Sequence, residues 1–343
     1  MPARSPHPVR DIADFLGAGD LATPEHENLC LVADIGGTNA RFGLVSDSRD
    51  EPREVRNLRC ADYPDLVAAI EDYLGRIPGL PRPQAACVAV AGPVHGDRIR
   101  LTNAAWDFSV ADSRRRLGLT RLDLINDFSA LALAVPQLPR EGFVRIGNGV
   151  RRYDEPMAVI GPGTGLGVAG LLRSRQGWIP IAGEGGHSGL PVGTEDEAEV
   201  ARFLRAEHEM VCAETALSGP GLVRLYRAVC AVRGVAAIYQ WPEQICAAAR
   251  DQADPLAVAT LDMFFGLLGA FAGGVAMIFG ARGGVLLGGG ILPEMADLLA
   301  ASDFRRRFVE SSALPGYLDD VATEIIVAST PALRGAAYRL AQR

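Results

Sequence analysis

The chain has 343 residues, 48% of them hydrophobic, so it can bury a large apolar core, and its length favours two domains over one or three. A formal net charge of -7 and a pI near 5.4 argue against nucleic-acid and anionic-membrane partners, whose surfaces need clustered basic side chains. All 34 basic side chains are arginine, and a chain without lysine cannot be a Walker-type P-loop enzyme, a protein kinase or a pyridoxal enzyme.

Residues 1–28 contain four prolines and no apolar run long enough for a signal peptide, and they read as a flexible extension. The first ordered element is a strand at 29–35, an apolar run that carries Asp34 and breaks at Gly36-Gly37. After a turn through Thr38 and Asn39, residues 40–45 return as a second strand. Strand following strand rejects the dinucleotide fingerprint, which needs a helix after its glycines. Residues 63–74 and 129–134 are expected as helices, and 85–91 and 122–125 as buried strands. The opening pattern then recurs: a short strand at 157–160, the turn Gly161-Pro162-Gly163-Thr164-Gly165, and an apolar run at 167–172. Two similar halves are expected, each opening with a hairpin whose turn offers backbone N–H groups to one polyphosphate.

Further along, 195–210 and 221–232 read as helices, 285–287 as a strand entering Gly288-Gly289-Gly290, and Pro293 as the start of another helix. Residues 263–279 carry no charge and fall just short of a membrane span. Gly266, Gly269, Gly273 and Gly274 suit close helix packing, and Asp262 and Arg282 bracket the segment, so it is expected as a buried core helix. The six cysteines show no C-x-x-C spacing and suggest neither a zinc ribbon nor a disulfide framework, consistent with a reducing cytoplasm. The class is α/β.

Three groups of residues carry chemistry. In Asp34-Ile35-Gly36-Gly37-Thr38-Asn39-Ala40-Arg41 the glycines let the backbone approach phosphate oxygens, Thr38 can add a hydroxyl and Asp34 can hold Mg²⁺ through water. Asn126-Asp127, between a strand and a helix, can cap that helix. A carboxylate at the carboxyl end of an α/β strand can equally point into a ligand cleft and accept a hydroxyl proton. Glu184, His187 and Glu214 can accept hydrogen bonds from vicinal hydroxyls. They also raise the idea of zinc, but no further protein ligand is expected to complete such a site.

The first signature is similar to the first phosphate loop of the actin, hexokinase and heat-shock ATPase superfamily. Residues 161–167 resemble its second phosphate loop and 284–290 its adenosine loop. With Leu101-Thr102-Asn103 and Leu225-Tyr226-Arg227-Ala228, the chain from about Leu29 onward resembles the bacterial glucokinases. That resemblance implies a two-domain actin-like ATPase (ribonuclease H-like) fold with an interdomain cleft, its small domain at 29–137 plus 331–343 and its large domain at 138–330. It implies ATP-dependent phosphorylation of glucose at the 6-hydroxyl, with Asp127 as base and sugar contacts from Asn103, Asn126, Asp127, Glu184, His187 and Glu214. The ATP contacts it implies are Asp34, Gly36, Gly37, Thr38, Asn39, Gly163, Thr164, Gly165, Gly289 and Gly290, with Mg²⁺ at Asp34 through water, in a cytoplasmic homodimer. A related branch of sugar kinases and repressors carries a cysteine-rich zinc loop beside its sugar-binding His. This chain has only Cys212 there and departs from that branch. A kinase for another hexose or an amino sugar, and a sugar-sensing regulator, are the rival readings. The regulator needs a DNA-reading module that 28 proline-interrupted residues do not supply.

Overall fold

The apolar run ending in Ile35 folds back at Gly36, whose N–H donates to the Asn39 carbonyl at 2.9 Å, and this hairpin starts the fold. The computed structural model describes residues 29–47, 50–101 and 106–342. The extension at 1–28 and Asn103 lie outside the described residues. The first half runs β1 (Cys30–Ile35), β2 (Asn39–Val45), β3 (Arg53–Arg59), α1 (Leu66–Gly75), β4 (Ala85–Val90), β5 (Arg98–Arg100), β6 (Asp107–Ser109), α2 (Val110–Arg116), β7 (Arg121–Asn126) and α3 (Asp127–Ala134). The second runs β8 (Phe143–Ile146), β9 (Met157–Pro162), β10 (Leu166–Ser174), β11 (Gly177–Gly183), α4 (Glu195–Glu207), α5 (Ala213–Ala216), α6 (Gly219–Val232), α7 (Pro242–Arg250), α8 (Pro255–Phe279), β12 (Gly284–Leu287), α9 (Ala296–Ala301), α10 (Phe304–Glu310), β13 (Thr323–Ile326) and α11 (Pro331–Ala341).

The main sheets have the orders β3-β2-β1-β4-β7 and β11-β10-β9-β12-β13-β8. In each, three antiparallel strands lead, and two parallel strands follow on the far side of the first. Five positions therefore repeat in order and sense, and β8, antiparallel to β13, extends the second sheet. The similarity of the two halves, expected from the repeated hairpin, holds at the level of topology. The parallel strands β4, β12 and β13 are almost wholly buried, and β4 and β12 are apolar, as strands covered on both faces tend to be, whereas β13 carries the buried Thr323 and Glu324.

One face of the first sheet packs on α1 and the strand pair β5 and β6. One face of the second packs on a larger core that includes α4, α6, α8 and α10. The helices α3 and α11 cover the remaining faces crosswise. Leu131, Leu133 and Val135, in and just after α3, pack on Met157, Val159, Ala169 and Leu171 of the second sheet. From the end of the chain, Leu333, Ala336 and Ala337 of α11 pack on Val32, Val45 and Cys87 of the first. The two helices touch where a Cβ on Gly335 would overlap the Ala130 carbonyl, so this crossing depends on the absence of a side chain.

The apolar helix α8 is capped by the Asp254 carboxylate, which accepts from the Leu256 N–H at 2.8 Å, and it ends at Gly280 with φ +58°. Phe264, Phe265, Leu268 and Phe271 are buried, so it is a core helix as expected, although by length and hydropathy alone it passes for a membrane span. Only two of its four glycines do the packing assigned to them. Gly269 and Gly273 lie against the backbone of α10, whereas Gly274 faces open space and Gly266 makes ordinary contacts. Some boundaries shift for local reasons. α1 begins at Leu66 because Asp65 caps it, accepting from the Ala68 N–H at 2.8 Å. Pro293 sits second in a 3₁₀ turn, Leu292–Met295, and the α-helix starts after it, at Ala296.

Candidate active site

The parallel strands β1, β4 and β7 end level with one another: Ile35 pairs with Val90, and Val90 with Asn126. Asp34 and the Asn126-Asp127 pair therefore emerge at the carboxyl edge of one sheet, where open α/β sheets place their ligands. The turn beside Asp34 is pinned from behind by the Cys60 N–H, which donates to the Thr38 carbonyl at 2.9 Å. Thr38 and Asn39 are exposed. Among the described residues a Cβ on Gly36 would meet only the Asn39 carbonyl, at 3.8 Å, so the backbone has room beside Gly36.

At the end of β7 the two readings of Asn126-Asp127 separate onto different residues. Asn126 is the cap: its Oδ1 accepts from the N–H groups of Phe128 and Ser129 at 3.0 and 3.1 Å, and its Nδ2 donates to the Gly92 carbonyl at 3.2 Å. Asp127 is the first helical residue. Its Oδ1 accepts from the Phe128 N–H at 2.9 Å and from Asn126 Nδ2 at 3.0 Å, so the carboxylate is oriented by groups that do not require it as a cap.

The second hairpin is built differently. Gly163 N–H donates to the Gly165 carbonyl at 2.8 Å, and the Gly163 carbonyl accepts from the Gly219 N–H at 2.7 Å, so the start of α6 holds the turn. Glu214, on α5, holds its other limb: Oε2 accepts from the Leu166 N–H at 2.8 Å, and a Cβ on Gly165 would come within 2.5 Å of the same oxygen. Among the described residues, chain neighbours aside, no atom lies within 4 Å of a Cβ on Gly163 or on Gly290, and Thr164 is exposed. Gly289, with φ +87°, takes a backbone conformation suited to glycine, and a Cβ there would overlap the Pro162 carbonyl. Among the glycines assigned to nucleotide, Gly36 and Gly163 thus leave room for a ligand, as does Gly290, while Gly165 and Gly289 are needed to close the protein on itself.

Glu184 precedes and His187 ends a 3₁₀ turn, Gly185–His187, that lies on β10, where a Cβ on Gly185 would press on Val168 at 3.1 Å. The Ala213 N–H donates to the Ser188 carbonyl at 2.8 Å, which brings α5 and its Glu214 alongside. Electrostatics tie the groups together. Burial pushes the Asp127 carboxyl up to about 7, against the Phe128 N–H, and the charges of Asp34 and Glu184 push the same way. Burial also raises Asp34, with the Arg41 guanidinium opposing it. His187 is held above its usual range by a hydrogen bond to Cys212, and then, against burial, by the charges of Glu214 and Glu184. Asp34, Asp127, Glu184, His187 and Glu214 therefore form one electrostatically connected set.

Sequence reasoning missed three participants. Cys212 stands at the start of α5, its N–H donating to Thr215 Oγ1 at 3.1 Å, and burial of its thiol is outweighed by hydrogen bonds with Thr215 and His187, which lower it. Arg41 stands opposite Asp34 across β1 and β2. The ring of Phe128 lies against Gly161 and Gly167. A surplus of glycines in the second hairpin was the only signal for the last of these. Among the described residues no group of three or more His, Cys, Asp or Glu is arranged to hold a metal ion.

Comparison with known proteins gives a consistent neighbourhood. The glucokinase family profile matches residues 31–343. A glucokinase of Aromatoleum aromaticum is 43% identical over 310 residues, covering 90% of this chain and 94% of its own. Among solved structures, a glucokinase from an Antarctic psychrotroph superposes with a TM-score of 0.84 at 38% identity, covering 92% of this chain and 99% of its own. A ROK family glucokinase from Streptomyces griseus, solved with glucose and AMPPNP, shares the fold at a TM-score of 0.62 and 21% identity, covering 90% of this chain and 98% of its own.

Proposed function

The chain belongs to the glucokinase family and phosphorylates glucose, and we propose that it does so from ATP, at the 6-hydroxyl, with Asp127 as the base. The observation that carries this reading is the placement of Asp127. It stands at a strand carboxyl end, coupled on one side to Asp34 of the open first turn and on the other to Glu184 of the His187 turn. In this reading two α/β domains, 29–137 with 331–343 and 138–330, face each other across a cleft that holds both substrates.

The exposed Thr38 and Asn39, the open backbone at Gly36, Gly163 and Gly290, and Gly37 and Thr164 would receive the phosphates and nucleoside of ATP. Asn126, Glu184, His187 and Glu214 would hold the sugar hydroxyls, Glu214 doing so while bonded to the second hairpin. A site of this kind discriminates through groups left unpaired by the wrong sugar. Asp127 takes the proton of the 6-hydroxyl as its oxygen bonds to the γ-phosphorus and the bond to ADP breaks. With its carboxyl near 7, Asp127 is matched to a base working close to neutral pH.

Asp34, a half-buried carboxylate at the carboxyl end of β1 beside the first turn, is the residue that would hold Mg²⁺, since the described residues offer no protein cage of their own. When bound there the ion would offset the charge on the phosphates. A cytoplasmic homodimer belongs to the same reading.

A coupled assay across a sugar panel with ATP and Mg²⁺ tests it. Glucose should exceed galactose and fructose by at least ~tenfold in kcat/KM, about 1.4 kcal/mol. Equal rates on all three sugars would reject the assignment of the hydroxyl-binding set.

A further inference from the structure

Asp127 is followed by an aromatic residue whose surroundings are unusual. A Cβ on Gly161 would come within 2.8 Å of two atoms of the Phe128 ring, and a Cβ on Gly167 would overlap the ring outright. These glycines lie opposite each other on β9 and β10. They flank the second turn without being part of its open tip, and together they form a socket one ring wide. The same residue's N–H donates to Asp127 Oδ1 at 2.9 Å and to the cap oxygen of Asn126 at 3.0 Å. Fixing the ring therefore fixes the peptide that aims the carboxylate. The next turn of α3 is seated in the same way, since a Cβ on Gly288 would come within 2.5 Å of Leu131.

We propose that Phe128 is a positioning residue that keys Asp127 to the second hairpin, and that Gly161 and Gly167 are glycine to seat its ring. The proposal rests on reading Asp127 as the base. It assigns the outer glycines of the second phosphate-loop resemblance to the protein's own side chain and leaves the open tip at Gly163 and Thr164 to the ligand. It also joins the base and the phosphate turn through one rigid contact, so that the two chemical groups of the reaction share a frame although they come from different halves of the chain. Near-attack geometry is sensitive to displacements of about 1 Å, which loss of the ring would permit.

Phe128→Leu keeps apolar bulk and removes the ring. It should lower kcat by ~10-fold or more while leaving KM for glucose and ATP within about threefold. It should also move the acid limb of kcat/KM to lower pH as water reaches the carboxylate. Gly167→Ala should damage the wild-type enzyme severely but change Phe128→Ala little, because the ring atoms that the added methyl would overlap are then absent. A Phe128→Leu enzyme within about twofold of wild-type kcat would overturn the proposal, as would equal losses from Gly167→Ala in both backgrounds. Loss of glucose binding heat in Phe128→Leu would overturn it too, since a positioning residue must leave binding intact. Asp127→Asn, run in parallel, separates the two levels: full turnover in that variant rejects the base itself, whereas an inactive Asp127→Asn beside a normal Phe128→Leu rejects only the positioning role.

Discussion

The two glycine hairpins occupy the same place in sheets of the same strand order, yet they do different work. The first turn is backed by Cys60, and a Cβ on its Gly36 would make only one ordinary contact. The second is largely filled by the protein itself: Phe128 sits in Gly161 and Gly167, Glu214 lies on Gly165, and the Pro162 carbonyl lies under Gly289, leaving only its tip free. A glycine motif therefore marks backbone that something approaches closely, and only the three-dimensional surroundings say whether that something is a ligand or a side chain.

The sharpest way to break this contrast is to add methyl groups on both sides of it. Gly289→Ala must accommodate both a positive φ and an overlap with the Pro162 carbonyl, so it should destabilise the unliganded chain by about 2–3 kcal/mol, read from denaturant midpoints. Gly37→Val should instead leave stability nearly unchanged and weaken ATP binding by at least ~tenfold, about 1.4 kcal/mol, measured by calorimetry. Unchanged nucleotide affinity would make the first turn an ordinary hairpin.

Next in size is a pH effect. If Asp127 is the base it must be ionised to act, so kcat/KM should rise with pH through about 7, and at pH 6 it should be about one tenth of its plateau. The sign for stability is opposite. Because folding raises this carboxyl from near ~4 to about 7, the unfolded chain gives up its proton first, and this group's contribution to stability falls as pH rises across that window. Asp127→Asn should remove that part of the slope. The smallest effect belongs to Gly163→Ala, whose methyl meets nothing within 4 Å and should shift unliganded stability by no more than about 1 kcal/mol.

Much of this was legible in the chain. Both hairpins show as apolar runs broken by glycine, and Asn126-Asp127 shows as a polar pair between a strand and a helix. In the two main sheets the unread strands β3, β8 and β11 are edge strands, and β13, between β12 and β8, is the exception. β3, Arg-Glu-Val-Arg-Asn-Leu-Arg, is mostly exposed and so lacks the alternation that one buried face imposes. β11 carries Pro180, which edge positions tolerate and central ones do not. In the site, Glu214 was identifiable as a candidate, but its bond to the Leu166 N–H spans 48 residues and follows from no local pattern. The division of labour between Asn126 as cap and Asp127 as oriented carboxylate was open in the sequence, because either residue type serves at a helix start. Only backbone geometry assigns the cap to Asn126.

That division makes Asp127→Asn the most direct test of the account. The substitution is nearly isosteric, and Asn126 remains in place to cap α3, so folding and glucose binding should survive. A neutral amide cannot take the hydroxyl proton, so kcat should fall by ~10²–10⁴-fold. Calorimetry of glucose binding beside a coupled turnover assay reads both quantities from one preparation. Retained glucose heat with that loss of turnover is the predicted result, and a variant that binds glucose and turns over within about threefold of wild type would contradict the assignment of Asp127 as the base.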